Sequence, residues 1–99
     1  MSISRPLLTL ALCAVGAMPA HAQRPFKVYI SVDMEGVGGV VTDQQLGPAG
    51  FEYGRARQFM TDEALAAIQG AREAGATEIL VSDSHGNGQN LLIDQFPQT

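Results

Sequence analysis

The chain has 99 residues, 45% of them hydrophobic, with six Lys/Arg against ten Asp/Glu and a formal net charge of −4. That length suits one small domain, and an acidic balance without a basic run excludes the electrostatic footprint of a nucleic-acid binder. A single cysteine, Cys13, excludes a disulfide framework.

Met1 to Arg5 carries one positive charge, Pro6 to Ala20 is almost wholly apolar, and Ala20-His21-Ala22 supplies the small residues of a signal-peptidase cleavage site. Residues 1–22 therefore read as a signal peptide, the mature chain starts at Gln23, and the expected location is periplasmic or secreted. The apolar run is shorter than the ~20 residues of a spanning helix and contains Gly16 and Pro19, so no stable membrane anchor is expected. Leu12, ahead of Cys13, is too bulky for lipoprotein processing. Without the leader, five Lys/Arg face ten Asp/Glu and no cysteine remains, so any metal must be held by oxygen and imidazole. Residues 23–99 lie near the lower size limit for burying a core without staples. Phe96-Pro97-Gln98-Thr99 brings no closing element, so this stretch reads as the truncated N-terminal part of a larger domain.

Residues 27–32, Lys-Val-Tyr-Ile-Ser-Val, are β-branched and aromatic and predict a strand that ends at Asp33. A glycine-rich loop follows through Val41, then a polar segment from Thr42 to Gly50 with Gly47-Pro48 as a turn signal. From about Phe51 to Ala74, apolar Ala56, Phe59, Met60, Ala64, Ala67, Ile68, Ala71 and Ala74 recur at three- and four-residue steps, the period of an amphipathic helix. Arg57, Asp62, Gln69, Arg72 and Glu73 form its solvated face, and Gly75 is its stop. Residues 77–82, Thr-Glu-Ile-Leu-Val-Ser, predict a second strand with the apolar run of a sheet covered on both faces. The fold class is α/β: a βαβ unit with parallel strands, the start of a larger three-layer α/β domain. A right-handed crossover brings the loops after Val32 and Ser82 to one sheet edge.

Asp33, Glu35, Asp83 and His85 all sit on those two loops, at the carboxyl ends of the strands where open α/β sheets bind ligands. Two carboxylates in Asp-x-Glu spacing repel, and a divalent cation is the common way to keep both ionised. Adding the His85 imidazole gives an oxygen and nitrogen set that suits zinc, manganese or iron. From spacing alone, a polar turn made of Asp-Ser-His-Gly stands beside the metal reading. Gly36, Gly38 and Gly39 do not have dinucleotide-fingerprint spacing, and the adjacent carboxylates would repel a phosphate. His85 is the one histidine of the mature chain and stands at a strand end, not in an apolar stripe.

Ser31-Val32-Asp33-Met34-Glu35-Gly36, then Tyr53-Gly54-Arg55 with Met60-Thr61 and Glu63-Ala64, then Asp83-Ser84-His85-Gly86 followed by Asn90-Leu91, resemble the successive N-terminal motifs of the DppA-type D-aminopeptidases, a family of zinc metallopeptidases. The resemblance spans about residues 26–95. It implies hydrolysis of peptides with an N-terminal D-amino acid, D-Ala type, at a site with two Zn2+ ions. It further implies that Asp33 bridges both metals, Glu35 binds one and His85 also ligates. The family's other ligands, a histidine and a glutamate, and its catalytic histidine lie further along, so no catalytic residue is expected within these 99 residues. Such a fragment would be inactive alone. The resemblance also implies a small peptide substrate and a ring-shaped homo-oligomer. Leu65 and Ser82 stand where asparagine is common in the family. Asp83 reads as a residue behind the metal ligands, accepting the second ring proton of His85.

Two other readings use the same residues. In a haloacid-dehalogenase-type magnesium phosphohydrolase, Asp33 would be a nucleophile, although that class wants Asp where this chain has Glu35 and has no need of His85. A non-catalytic periplasmic binding module would use the same sheet edge to hold a ligand.

Overall fold

The computed structural model describes residues 15–17 and 24–98, so the leader expected over residues 1–22 lies outside the described residues apart from 15–17. The element order is strand β1 (Phe26–Val32), a 3-10 turn (Asp43–Gln45), helix α1 (Tyr53–Glu73), strand β2 (Ala76–Asp83) and a second 3-10 turn (Ile93–Gln95). β1 and β2 pair in parallel, from Lys27 opposite Glu78 to Val32 opposite Asp83, with one register shift between Phe26 and Lys27. The expected α/β unit is therefore present, each strand extending one residue or so beyond the pattern-based limits.

Alternation along the strands decides which face the helix covers. Val28, Ile30 and Val32 are half-buried or buried, as are Ile79 and Val81. Ile30 and Val81 pack against a core of Val32, Met34, Val37, Ala56, Met60, Ala64 and Leu91. Met34 and Met60 are wholly buried, each contributing about 1.5–3 kcal/mol by the usual worth of such a side chain. The exposed Lys27–Glu78 ion pair, at 2.8 Å, adds little by comparison. The core, and not the rim charges, holds helix to sheet.

Two details of the pattern-based reading need correcting. Ala67 and Ala74 are exposed and Thr61 is fully buried, because a two-stranded sheet offers the helix only a narrow contact stripe. Thr61 tolerates burial because its hydroxyl donates to the Arg57 carbonyl at 2.8 Å and accepts from Leu92 N–H at 3.0 Å. The far face of the sheet, with Tyr29 and Leu80 more than 60% exposed, is not covered. Among the described residues there are thus two layers, and the third expected layer is not formed by them. No helix among the described residues is long and apolar enough to cross a membrane.

Glycine ends the helix as expected: Gly75 has φ +97° and its N–H reaches the Arg72 carbonyl at 2.9 Å. Gly50 is constrained differently. A Cβ there would lie 2.0 Å from the Gln44 carbonyl oxygen, which itself accepts from Glu52 N–H at 3.2 Å as the chain enters α1. Gly50→Ala must therefore push the Thr42–Gly50 segment off the helix entrance, at a cost of about 1–3 kcal/mol typical of overpacking. Urea denaturation of this variant should show a lower midpoint with an unchanged slope.

Candidate metal centre

The Asp-x-Glu spacing acquires a geometric meaning at the end of β1. Met34 turns fully into the core while the residues on either side stay exposed, so the Asp33 and Glu35 side chains, 58% and 57% exposed, emerge together on the solvent side. Their loop is tied down from beneath. Val37 N–H bonds the Met34 carbonyl at 3.2 Å and Val40 N–H the Val37 carbonyl at 3.1 Å. Gly36 and Gly39 take φ +107° and +89°, and Gly39 lies so close to the Phe59 ring that a Cβ would meet it at 3.1 Å. Gly38 N–H donates to Glu63 of α1 at 2.7 Å. Gln45, 3% exposed, donates to the Gly39 carbonyl and accepts from Val41 and Thr42 N–H.

His85 arrives from the other loop, where Ser84 N–H continues the parallel ladder to the Val32 carbonyl at 2.8 Å. Its ring is buried, with Nδ1 at 2.8 Å from Glu35 Oε2 and 3.1 Å from Asp33 Oδ1. One ligand atom from each of Asp33, Glu35 and His85 falls within a 4.8 Å cluster. Asp33 and Glu35 also border an open cleft of about 360 Å³ with Gly36, Val37, Glu63 and Ala64.

The other ring nitrogen decides what this cluster can hold. His85 Nε2 lies 2.6 Å from the Leu46 carbonyl, which can only accept, so Nε2 carries the hydrogen. In the neutral ring Nδ1 is then a bare lone pair aimed at two carboxylates, an arrangement that repels unless a cation lies between them. The donor set therefore fits a divalent metal, with the Leu46 carbonyl fixing the tautomer. Without one, a proton takes the place. The Leu46 carbonyl, against the opposing effect of burial and with help from Asp33 and Glu35, holds the His85 pKa above its ordinary 6.5. Asp33 is held below the usual carboxylate value by hydrogen bonding with Glu35 and then with His85.

Asp83 does not take the place expected for it. The ring proton of His85 goes to Leu46, and the Asp83 carboxylate instead accepts from Asn90 N–H at 2.6 Å, Asn90 Nδ2 at 2.8 Å and Leu91 N–H at 2.8 Å. Burial pushes its pKa up, but these donors outweigh it and the net shift is downward. The physical reason is proximity: the chain doubles back after Gly88 and delivers unpaired backbone N–H groups to the strand end. Arg57, expected in solvent, is half-buried, donating Nε to the Asn90 carbonyl at 2.8 Å and lying over the Tyr53 ring at 5.8 Å. Leu46 could not be found from side-chain chemistry because it acts through its backbone. Tyr53 and Arg57 did leave a signal, the four-residue spacing that sets both on one side of α1.

The sequence model described as D-aminopeptidase matches residues 26–99. The chain belongs to the D-aminopeptidase family. A D-aminopeptidase of Bacillus subtilis (strain 168) is 42% identical over 70 residues, which is 71% of this chain and 26% of that protein. The solved structure of the Zn-dependent D-aminopeptidase DppA from Bacillus subtilis, a self-compartmentalizing protease, superposes with a TM-score of 0.71 at 40% identity, over 73% of this chain and 26% of that one. The chain thus spans about a quarter of the length of these relatives. Family membership favours a peptidase over the phosphohydrolase and binding-module readings.

A proton and a cation compete for the same Nδ1 lone pair, so the raised His85 pKa has a sign. Cation affinity, followed by calorimetry in the complete protein, should be full well above pH 6.5 and be lost as pH falls through the raised value. His85→Ala should weaken binding at neutral pH and abolish that step.

Proposed function

We propose that the complete protein is a zinc-dependent aminopeptidase that removes D-amino acids of the D-Ala type from the N-terminus of small peptides. Asp33, Glu35 and His85 are this chain's share of a site for two zinc ions. The observation that carries the reading is the position of His85 Nδ1, facing two carboxylates at 2.8 and 3.1 Å while Nε2 is turned to the Leu46 carbonyl at 2.6 Å. Bound zinc supplies Lewis acidity and lowers the pKa of water to roughly 7.

The residues of this chain do the holding and orienting. Asp33 and Glu35 contribute negative charge and, being more than half exposed, keep oxygen lone pairs free for further bonds and for the ammonium group of a peptide N-terminus. His85 contributes one nitrogen, Nδ1, on a ring whose orientation is set by the Leu46 carbonyl at Nε2. No general base is assigned to residues 24–98; that role, and the remaining ligands, belong to other parts of the complete protein. The leader pattern of residues 1–22 supports export to the periplasm or outside the cell, where peptides with D-residues from cell-wall turnover are a fitting substrate class. The self-compartmentalizing relative supports a homo-oligomer.

Metal content and hydrolysis test the reading together. Purified complete protein should contain stoichiometric zinc and release D-Ala from D-Ala-terminated peptides, and Glu35→Ala should lose both zinc and activity by at least two orders of magnitude. Magnesium-dependent release of phosphate from a generic ester, without zinc, would overturn it.

A further inference from the structure

Asn90 is 2% exposed and every polar group it owns is engaged. Its backbone N–H and Nδ2 donate to the two oxygens of Asp83 at 2.6 and 2.8 Å. Nδ2 also donates to the backbone carbonyl of His85 at 2.5 Å. Its Oδ1 accepts from the Tyr53 hydroxyl at 2.6 Å, and its carbonyl accepts from Arg57 Nε at 2.8 Å. Tyr53 and Arg57 lie one turn apart on α1, Asp83 ends β2, and His85 lies on the loop between. The side chain therefore joins helix, strand and loop at one buried point.

The amide orientation is forced by its neighbours. Two acceptors without hydrogens, the Asp83 carboxylate and the His85 carbonyl, face the nitrogen, and a hydroxyl donor faces the oxygen. An amide flip would set acceptor against acceptor twice, and an aspartate would do the same with added charge. Among side chains of this size, asparagine alone meets the demand.

We propose that Asn90 is a positioning residue for the metal centre: its carboxamide pins the His85 backbone so that the imidazole keeps Nδ1 between Asp33 and Glu35. The ring is then held at two places, at Nε2 by the Leu46 carbonyl at 2.6 Å and at its own carbonyl by Asn90. Without Asn90 the His85 carbonyl keeps only the Gly88 N–H of its own turn, at 3.0 Å, and the turn is tied to the sheet only at its start, by Ser84 N–H. With Gly86 and Gly88 both at positive φ, the rest of the turn would shift and the ring would follow. Through Tyr53 and Arg57, helix α1, which supplies no ligand, sets the place of one. This inference rests on the proposed zinc site.

A double substitution separates placing His85 from merely holding the chain together. In Asp83→Asn with Asn90→Asp, the new amide at 83 donates to the new carboxylate at 90. The oxygen at 83 still accepts from the backbone N–H groups of 90 and 91, Tyr53 keeps its acceptor, and net charge is unchanged. The His85 carbonyl loses its Asn90 donor, keeps the Gly88 N–H at 3.0 Å and now faces a carboxylate. In the complete protein we expect a melting temperature close to wild type in the zinc-free state. Zinc affinity, by chelator competition, should be weaker by about 10–100-fold, the usual effect of removing a partner behind a metal ligand. The visible spectrum of the cobalt-substituted protein should change, and kcat should fall with KM for the peptide little altered. A double variant with wild-type zinc affinity and an unchanged cobalt spectrum overturns the proposal. So does one that fails to fold, since Asn90 would then serve the fold and not His85. The wild-type control keeps the two readings apart: absence of zinc and peptide cleavage there sinks the aminopeptidase reading itself, whereas normal wild-type behaviour with an unaffected double variant sinks only the role of Asn90.

Discussion

The parallel pairing of β1 with β2, with Val32 opposite Asp83, is the constraint on which the site depends. It brings together groups about fifty positions apart in the chain, and the last rung, Ser84 N–H to the Val32 carbonyl at 2.8 Å, lies directly beneath them. A slip of one residue would turn every side chain to the opposite face of the sheet. Val32 would leave the core, and Asp33 would no longer meet His85. Register here is fixed by apolar burial on the helix side, where Ile30, Val32 and Val81 meet Ala56, Met60 and Ala64.

Helix α1 has a second role besides covering the sheet. It supplies none of the three clustered groups, yet both loops that do are referenced to it. Glu63 and Phe59 fix the glycine loop that follows Glu35, the first by taking Gly38 N–H and the second by packing against Gly39. Tyr53 and Arg57 fix Asn90 and with it the turn that bears His85. Because both sets sit on one rigid element, the separation between the carboxylates and the imidazole is inherited from helix geometry, and two otherwise mobile loops acquire a common frame. Such support from ordered elements is what a site needs to hold ligands to within fractions of an ångström.

The three clustered side chains differ in freedom, and the difference has a purpose. His85 is buried with both ring nitrogens committed, one to the Leu46 carbonyl and one to the carboxylates. Asp33 and Glu35 are more than half exposed. A rigid nitrogen and two solvated, adjustable oxygens form an arrangement able to accept a cation from solvent without first breaking a buried network. The buried network lies one layer back, at Asp83, Asn90 and Tyr53, where no buried side-chain polar atom among the described residues is left without a partner.

Much of this was legible in the sequence. Two β-branched runs, a helix of 3.6-residue period and its glycine stop are local properties, so the βαβ unit could be read from periodicity, and Asp33, Glu35 and His85 could be placed on one edge by chain topology. What neither periodicity nor topology could reach was the partner of each polar group. Asp83 and His85, two positions apart, looked like a carboxylate and the imidazole it orients, but the fold gives that imidazole to a backbone carbonyl 39 positions earlier, at Leu46. It gives the carboxylate to Asn90 and Leu91 instead. Arg57 looked solvated because its own helix has no use for it, and only the returning loop supplies the Asn90 carbonyl that draws it in. The sequence by itself determined which elements form and which residue types reach the sheet edge, since these follow from local propensity and alternation. Tertiary structure alone decided which donor meets which acceptor, because hydrogen bonds are directional and short, and ångström-scale placement is set by packing of the whole unit.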